Sequence, residues 1–131
     1  MRYLPPFNSL HDLLKLTVIR GKPVPSMTQE DVRQLISRLL WMVDVDEEWY
    51  LARNPDIAEA VRAGLFKSGR DHFINNGYFE GRQPFPIVVD SDWYATRYPE
   101  IGAAIEAGTL ESAQLHFERH GYREGRLPFP V

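Results

Sequence analysis

The string GYFEGRQPFP at residues 77–86 returns almost unchanged as GYREGRLPFP at residues 121–130. A shift of 44 residues lays the two strings and the residues before them over each other without a gap, Val45–Ile87 on Val89–Val131. Of the 43 aligned positions, 21 are identical. Self-similarity of this kind at a fixed period is the signature of a tandem repeat.

The repeat divides the chain into three parts, which we expect to pack as one compact domain. Residues 1–44 form an N-terminal helical cap, residues 45–88 are repeat 1 and residues 89–131 are repeat 2. The chain has 131 residues, of which 44% are hydrophobic and 25% charged. This length and composition are typical of a globular protein with a real core, not of a disordered one.

Each repeat is predicted to contain three short helices, so the expected fold class is all-α. In repeat 1, Asp46 is placed to cap the first helix, Pro55 fits the first position of the second, and Gly64 can end it in the left-handed conformation. Ser68 is placed to cap a third helix that ends at Gly77. The same signals recur in repeat 2, at Asp90, Pro99, Gly108, Ser112 and Gly121.

Two further helices are expected in the cap. The string NSLHDLLKLTVI at residues 8–19 is amphipathic, and Gly21, Pro23 and Pro25 stop the helix after it. Its apolar positions are Leu10, Leu13, Leu14, Leu16 and Ile19. The second helix begins at the N-cap Thr28. One buried face is predicted from its apolar positions, Val32, Leu35, Ile36, Leu39, Leu40 and Val43.

The string at 77–86 is predicted to end the helices of its repeat. Gly81 allows a tight turn, and the two prolines force an extended exit that cannot rejoin a helix. An acid at Asp71 occupies the capping-box position of the third helix. The aromatic side chains of both strings are expected to fold back onto the helices: Tyr78, Phe85, Tyr122 and Phe129.

The candidate binding residues are aromatic and basic side chains that recur in both repeats. They are Trp49, Tyr50, Arg53 and Arg82 in repeat 1, and Trp93, Tyr94, Arg97 and Arg126 in repeat 2. A tryptophan and an arginine four residues apart share one side of a helix and could stack on a sugar or dock a peptide. The alternative is a core tryptophan that the arginine covers.

The two remaining arginines also allow two interpretations. Arg82 and Arg126 could clamp an anion or a sugar hydroxyl. We favour an internal ion pair, either with Glu80 and Glu124 of the same string or with Asp46 and Asp90, the cap residues.

No catalytic constellation is found in the sequence, and we expect neither an enzyme nor a cofactor. His72 and His116 recur at one repeat position, but a metal site needs several converging ligands, so we interpret both as structural. The chain has no cysteine, which excludes disulfides and thiolate chemistry. The net charge is −3 with mixed signs along the chain, which argues against a nucleic-acid partner.

The segments WYLARNPDIAEAV…HFINNGYFEGRQP and WYATRYPEIGAAI…HFERHGYREGRLP resemble a short bacterial tandem repeat. In that family the repeats accompany glycosyltransferases and other proteins of surface-polysaccharide synthesis, often as appended modules. The likeness covers residues 45–131 and includes no transferase domain. It therefore implies association with other molecules and not catalysis.

The sequence predicts a non-catalytic protein-interaction or assembly module that serves bacterial polysaccharide or cell-envelope synthesis. Its partner would be another protein or a second copy of the chain. The alternative is a carbohydrate-binding module that holds polysaccharide at the duplicated Trp/Arg sets. The apolar contact surface is expected at the string LPPF, residues 4–7, or at a PFP exit. The beginning of the chain does not resemble a secretory signal and no membrane-spanning stretch is found, so we expect a cytoplasmic protein without membrane insertion.

Overall fold

A computed structural model describes residues 28–131, and over that range the protein is all-α, as the sequence predicts. Its α-helices are α1 (Gln29–Leu40), α2 (Glu47–Arg53), α3 (Pro55–Arg62), α4 (Gly69–His72), α5 (Ser91–Arg97), α6 (Pro99–Glu106) and α7 (Ala113–His116). The helices α4 and α7 each run on into one π-helical turn, at Phe73–Gly77 and Phe117–Gly121. The helix predicted at residues 8–19, the prolines after it and the LPPF string lie outside the described residues.

The described part of the chain divides into two compact units, one that ends at Pro86 and one at residues 87–131. The division falls two residues before the boundary between the predicted repeats. Every helix bound of the second unit follows its counterpart in the first by the same offset that relates the two repeats in the sequence.

Local capping chemistry sets the helix bounds where the sequence places them. The N-caps Asp46 and Asp90 accept hydrogen bonds from the amides of Trp49 and Trp93, both at 3.0 Å. Thr28 forms a full capping box with Asp31 at the start of α1. The prolines stand at the first positions of α3 and α6.

The remaining caps and turns also follow the pattern, with one exception. Ser68 and Ser112 cap α4 and α7. The glycines after α3 and α6, and those of the two tight turns, have positive φ: Gly64, Gly108, Gly81 and Gly125. The predicted capping-box role of Asp71 is wrong, because its carboxylate accepts from the amide of Lys67, 3.3 Å away, which lies one residue before the cap.

The proline-rich exit closes each repeat onto its own beginning. The carbonyl oxygen of Pro84 accepts a hydrogen bond from the amide of Asp46 at 3.0 Å, and Pro128 accepts from Asp90 at 2.9 Å. Both prolines are buried. The extended exit is therefore a closing strap, and its backbone satisfies the amide that precedes the first helix of the same repeat.

The core of the first unit joins α1 to repeat 1. Its buried residues are Ile36, Leu40, Val43, Tyr50, Ile57, Phe73, Ile74 and Tyr78. In the second unit the buried apolar residues are Ile87, Val89, Tyr94, Ile101, Ala113, Phe117 and Tyr122. The predicted packing face of α1 is only half correct, since Ile36, Leu40 and Val43 are buried while Leu35 and Leu39 are exposed.

Candidate functional site

A hydrogen bond between a buried tyrosine and a buried histidine forms the centre of each repeat. The Tyr50 hydroxyl, on α2, lies 2.9 Å from Nδ1 of His72 on α4. Its counterpart joins Tyr94 on α5 to His116 on α7 at 3.0 Å. Both tyrosines are fully buried, with an exposed fraction of 0%. The binding role suggested for Tyr50 and Tyr94 is therefore corrected to a packing role, because a ligand cannot reach either side chain in this conformation.

Burial keeps both partners of the bond neutral. It raises the pKa of the Tyr50 hydroxyl, which stays protonated and can donate to Nδ1. Burial also lowers the pKa of His72 below its ordinary 6.5, although the nearby Glu80 carboxylate opposes this shift. When the hydroxyl donates to Nδ1, the neutral imidazole carries its proton on Nε2, which lies 3.8 Å from a Glu80 oxygen. His72 is a structural acceptor, as the sequence interpretation favours, and the same shifts occur at Tyr94 and His116.

A glycine makes room for each buried hydroxyl. Gly77 ends the π-helical turn after α4, and a methyl group built at this position would overlap the Tyr50 hydroxyl oxygen. Gly121 has the same relation to Tyr94. The sequence predicts that Gly77 ends a helix, but its backbone does not have positive φ. The requirement at this position is therefore space for the tyrosine, and not a left-handed turn.

Arg82 and Arg126 form internal ion pairs, which is the interpretation that we favour from the sequence. Nε of Arg82 donates to Glu80 at 2.7 Å, and its two terminal nitrogens donate to the Asp56 carboxylate at 3.1 and 2.8 Å. One of these nitrogens also donates to Asn54 at 2.8 Å. Arg82 thereby fastens the turn to the beginning of α3. The proposed pairing of Arg82 with the cap residue Asp46 is wrong, because that cap faces its own helix.

Arg126 fastens repeat 2 in the same way with one change of partner. It forms ion pairs with Glu124 and with Glu100, at the beginning of α6. Its guanidinium carbon lies 4.7 Å from the centroid of the Tyr98 ring. Tyr98 stands where repeat 1 has Asn54, so a cation–π contact replaces an amide hydrogen bond.

The Trp/Arg sets are only partly available to a ligand. Trp49 and Trp93 are half-buried, and Trp49 packs against the core of the first unit. Arg53 and Arg97 are exposed. The Arg97 guanidinium lies 5.7 Å from the ring centroid of Tyr98, which also contacts Trp93 edge-on at 6.4 Å.

An apolar surface that the sequence did not predict runs along α1 and into the turn that follows it. Leu35, Leu39 and Met42 follow each other at spacings of four and three residues, and their exposed fractions are 51%, 38% and 59%. We call these three residues the outer seam. Trp41, beside them, is 62% exposed. The sequence placed an apolar contact surface at a PFP exit. There, Pro84 and Pro128 are buried and the phenylalanines are half-buried.

Among residues 28–131, no group of three or more histidine, aspartate or glutamate side chains could hold a metal ion. No helix of the same residues combines the length and apolar character needed to cross a membrane. Comparison with known proteins gives no match to a family model, a curated protein or a solved structure.

The buried histidines predict a loss of stability on mild acidification. Their pKa values are lowered in the folded state, so below about pH 6.5 the unfolded chain binds more protons than the folded one. The free energy of unfolding should be greatest above that pH. It should fall between pH 6.5 and 5.5, by at most about 1.4 kcal/mol per pH unit for each histidine.

Urea unfolding at pH 7.5, 6.5 and 5.5 measures this dependence. The double variant His72→Gln/His116→Gln keeps an acceptor for each tyrosine and should flatten the profile. If the free energy of unfolding changed equally with pH in the double variant and the wild-type protein, His72 and His116 would not be the source of the pH dependence.

The contact between Gly77 and Tyr50 predicts a rescue. Gly77→Ala should destabilise the protein by about 1–3 kcal/mol, because the added methyl group overlaps the hydroxyl oxygen. In a Tyr50→Phe background that oxygen is gone, and the nearest remaining neighbour of the methyl group is His72 Nδ1 at 3.2 Å. Gly77→Ala should therefore cost much less there. The free energies of unfolding of the wild-type protein, the two single variants and the double variant form a double-mutant cycle. Strictly additive costs would refute the steric explanation.

Proposed function

We propose that this protein is a non-catalytic interaction module whose contact surface is the outer seam of α1. The observation that carries the proposal is the exposure of Leu35, Leu39 and Met42. The first two lie on α1 and Met42 just after it, beside the face of the helix that is buried in the core. Contiguous apolar side chains at the surface, when flanked by polar residues, are characteristic of interaction sites. Spacings of four and three residues suit the packing of a partner helix along α1.

The polar side chains that recur in both repeats are bonded to one another, and this supports a binding role for the protein over a catalytic one. The hydroxyl groups of Tyr50 and Tyr94 are hydrogen-bonded to histidines. Arg82 and Arg126 each form ion pairs with two acidic side chains of their own repeat. These side chains stabilise each repeat from within. A catalytic group must instead reach its substrate within hydrogen-bond distance, which a buried and bonded histidine cannot do without rearrangement.

The resemblance of the repeats to those that accompany glycosyltransferases supplies the proposed setting. We place the module in the cytoplasm of a bacterium, as an accessory or regulator of polysaccharide or cell-envelope synthesis. Its partner would be a protein of that machinery, which presents an amphipathic helix to the seam.

Site-specific photo-crosslinking tests this function. A photoreactive amino acid is placed at Met42, in the seam, and in a control protein at Glu59, an exposed polar position on α3. In cells that produce the protein naturally, Met42 should give a discrete adduct with one other protein, and Leu35→Asp in the same chain should abolish it. Adducts of equal yield from Glu59, or none from Met42, would rule out the seam as the contact surface.

The second candidate is a carbohydrate-binding module, and one observation favours it. Trp49 and Trp93 keep part of their surface in solvent, and an exposed arginine follows each of them by four residues. Sugars bind to such aromatic faces by stacking. Their burial is against it, because Trp49 already packs on the core.

Tryptophan fluorescence during titration with polysaccharide fragments separates the two candidates. The titration uses Trp41→Phe, which removes the indole nearest the seam and leaves Trp49 and Trp93 as the reporters. Under the first proposal we expect no saturable change. A saturable change that Arg53→Ala/Arg97→Ala abolishes would establish the carbohydrate function instead.

A further inference from the structure

We propose that the second π-helical turn, Phe117–Gly121, and Arg123 just after it form a docking surface for an acidic helix of a partner protein. This surface lies in the second unit and shares no residue with the outer seam. The inference therefore goes beyond the proposed function, and either proposal can fail without the other.

Repeat 1 shows what this position of the repeat can hold. Its π-helical turn packs against α1. Ile74 is buried in the core that α1 shares with repeat 1. A terminal nitrogen of Arg33, on α1, donates to the carbonyl oxygen of Asn75 at 3.3 Å, and the guanidinium carbon lies 4.1 Å from the centroid of the Phe79 ring. A helix with a basic side chain thus covers this face of repeat 1.

Repeat 2 has charged side chains at the same positions. The offset of 44 residues sets Glu118, Arg119 and Arg123 on the three residues that contact α1 in repeat 1. All three are exposed, and so is His120 between them. We call these four residues the charged face. The place that an apolar face occupies in repeat 1 is thus charged and open to solvent in repeat 2.

The α1 helix of a second copy does not fit the charged face. In the arrangement seen in repeat 1, its Arg33 would lie against Arg123, the residue aligned with Phe79, and like charges would meet. Its apolar residues would also cover the Glu118 carboxylate, and burying a charge without an oppositely charged partner is costly. The residues of repeat 2 therefore disfavour the helix that repeat 1 accepts.

The two arginines of the charged face are available to a ligand. Among residues 28–131, neither the Arg119 nor the Arg123 guanidinium forms an ion pair. Glu124, next to Arg123 in the chain, forms its ion pair with Arg126 instead. A carboxylate of a partner would therefore meet two arginines that hold no acid of their own.

These charges define the partner helix. Arg119 and Arg123 are four residues apart, and acids spaced four residues apart share one side of a helix. Glu118 accepts a hydrogen bond from Gln114 at 2.8 Å and keeps its charge, so the acids of the partner belong on the side of the two arginines. In repeat 1 the covering helix supplies the arginine. In repeat 2 the covered surface supplies two, and the covering helix supplies the acids.

Titration of the full-length chain with a synthetic peptide tests this surface. The probe is a helix-forming peptide of about 20 residues with glutamate at every fourth position, and a matched peptide carries lysine there. The net charge of the protein is −3, so the charge of the whole molecule does not favour the acidic peptide. Nuclear magnetic resonance of the isotope-labelled protein measures the affinity and shows which residues the peptide contacts.

The acidic peptide should shift the amide signals of residues 117–123, and the lysine peptide should not. Arg119→Glu/Arg123→Glu should weaken binding on the order of tenfold or more, because two attractions become two repulsions. The control Arg53→Glu/Arg62→Glu makes the same change of charge at two exposed arginines of repeat 1. It should alter the affinity less than about twofold. Circular dichroism verifies that both variants fold.

The proposal is overturned if the two peptides bind equally, if the acidic peptide does not bind, or if the signals that shift lie outside residues 117–123. An equal loss of affinity in the control variant would overturn it as well. Tighter binding of polygalacturonate, an acidic polysaccharide, than of the acidic peptide would assign the charged face to polysaccharide instead. None of these results alters the outcome of photo-crosslinking at Met42.

Discussion

A tyrosine hydroxyl in the middle of each repeat must find a hydrogen-bond partner, because a buried and unpaired polar group costs about 1–3 kcal/mol. Nδ1 of the histidine supplies that partner, and burial favours the neutral form of the ring, in which Nδ1 can accept from the hydroxyl. Several features of the repeat follow from this bond. The residue at the end of the π-helical turn has to be glycine to leave room for the oxygen, and α2 must lie against α4 for the two side chains to meet.

The recurrent polar residues are poor candidates for ligand binding because they form ion pairs and hydrogen bonds within their own repeat. Arg82, and Arg126 in repeat 2, join the turn to the beginning of the second helix of the repeat. The carbonyl groups of Pro84 and Pro128 join the end of each repeat to its start. The hydrogen-bonding capacity of these groups is used within the repeat. Under the proposed function, binding depends on surfaces outside this framework. Among residues 28–131, the outer seam places three exposed apolar side chains next to one another.

The sequence predicted the parts of the fold that depend on local chemistry, since caps, helix-starting prolines and left-handed glycines act within a few residues of their positions. It could not reveal the tyrosine–histidine bond, whose partners lie 22 residues apart and meet only after α2 and α4 have packed. The double recurrence of Tyr50 and His72 was the available signal, but the tyrosine was grouped with its tryptophan neighbour instead. The exposure of Leu35 and Leu39 was missed for a similar reason. Periodicity shows that a helix has an apolar face, but not how much of that face its neighbours cover.

Differences between the repeats show which roles the architecture requires. Arg70 in repeat 1 donates to the carbonyl of Val43 at 2.8 Å, and at the equivalent position of repeat 2 Gln114 donates to Ile87 at 2.9 Å. Two unlike side chains thus donate a hydrogen bond to the equivalent backbone carbonyl. The repeat therefore requires this hydrogen bond and not the positive charge of the arginine. The seam, by contrast, belongs to the unduplicated α1. A partner that uses the seam binds once per chain, whereas a ligand of the Trp/Arg sets would bind twice, and the stoichiometry of any complex therefore identifies which surface holds it.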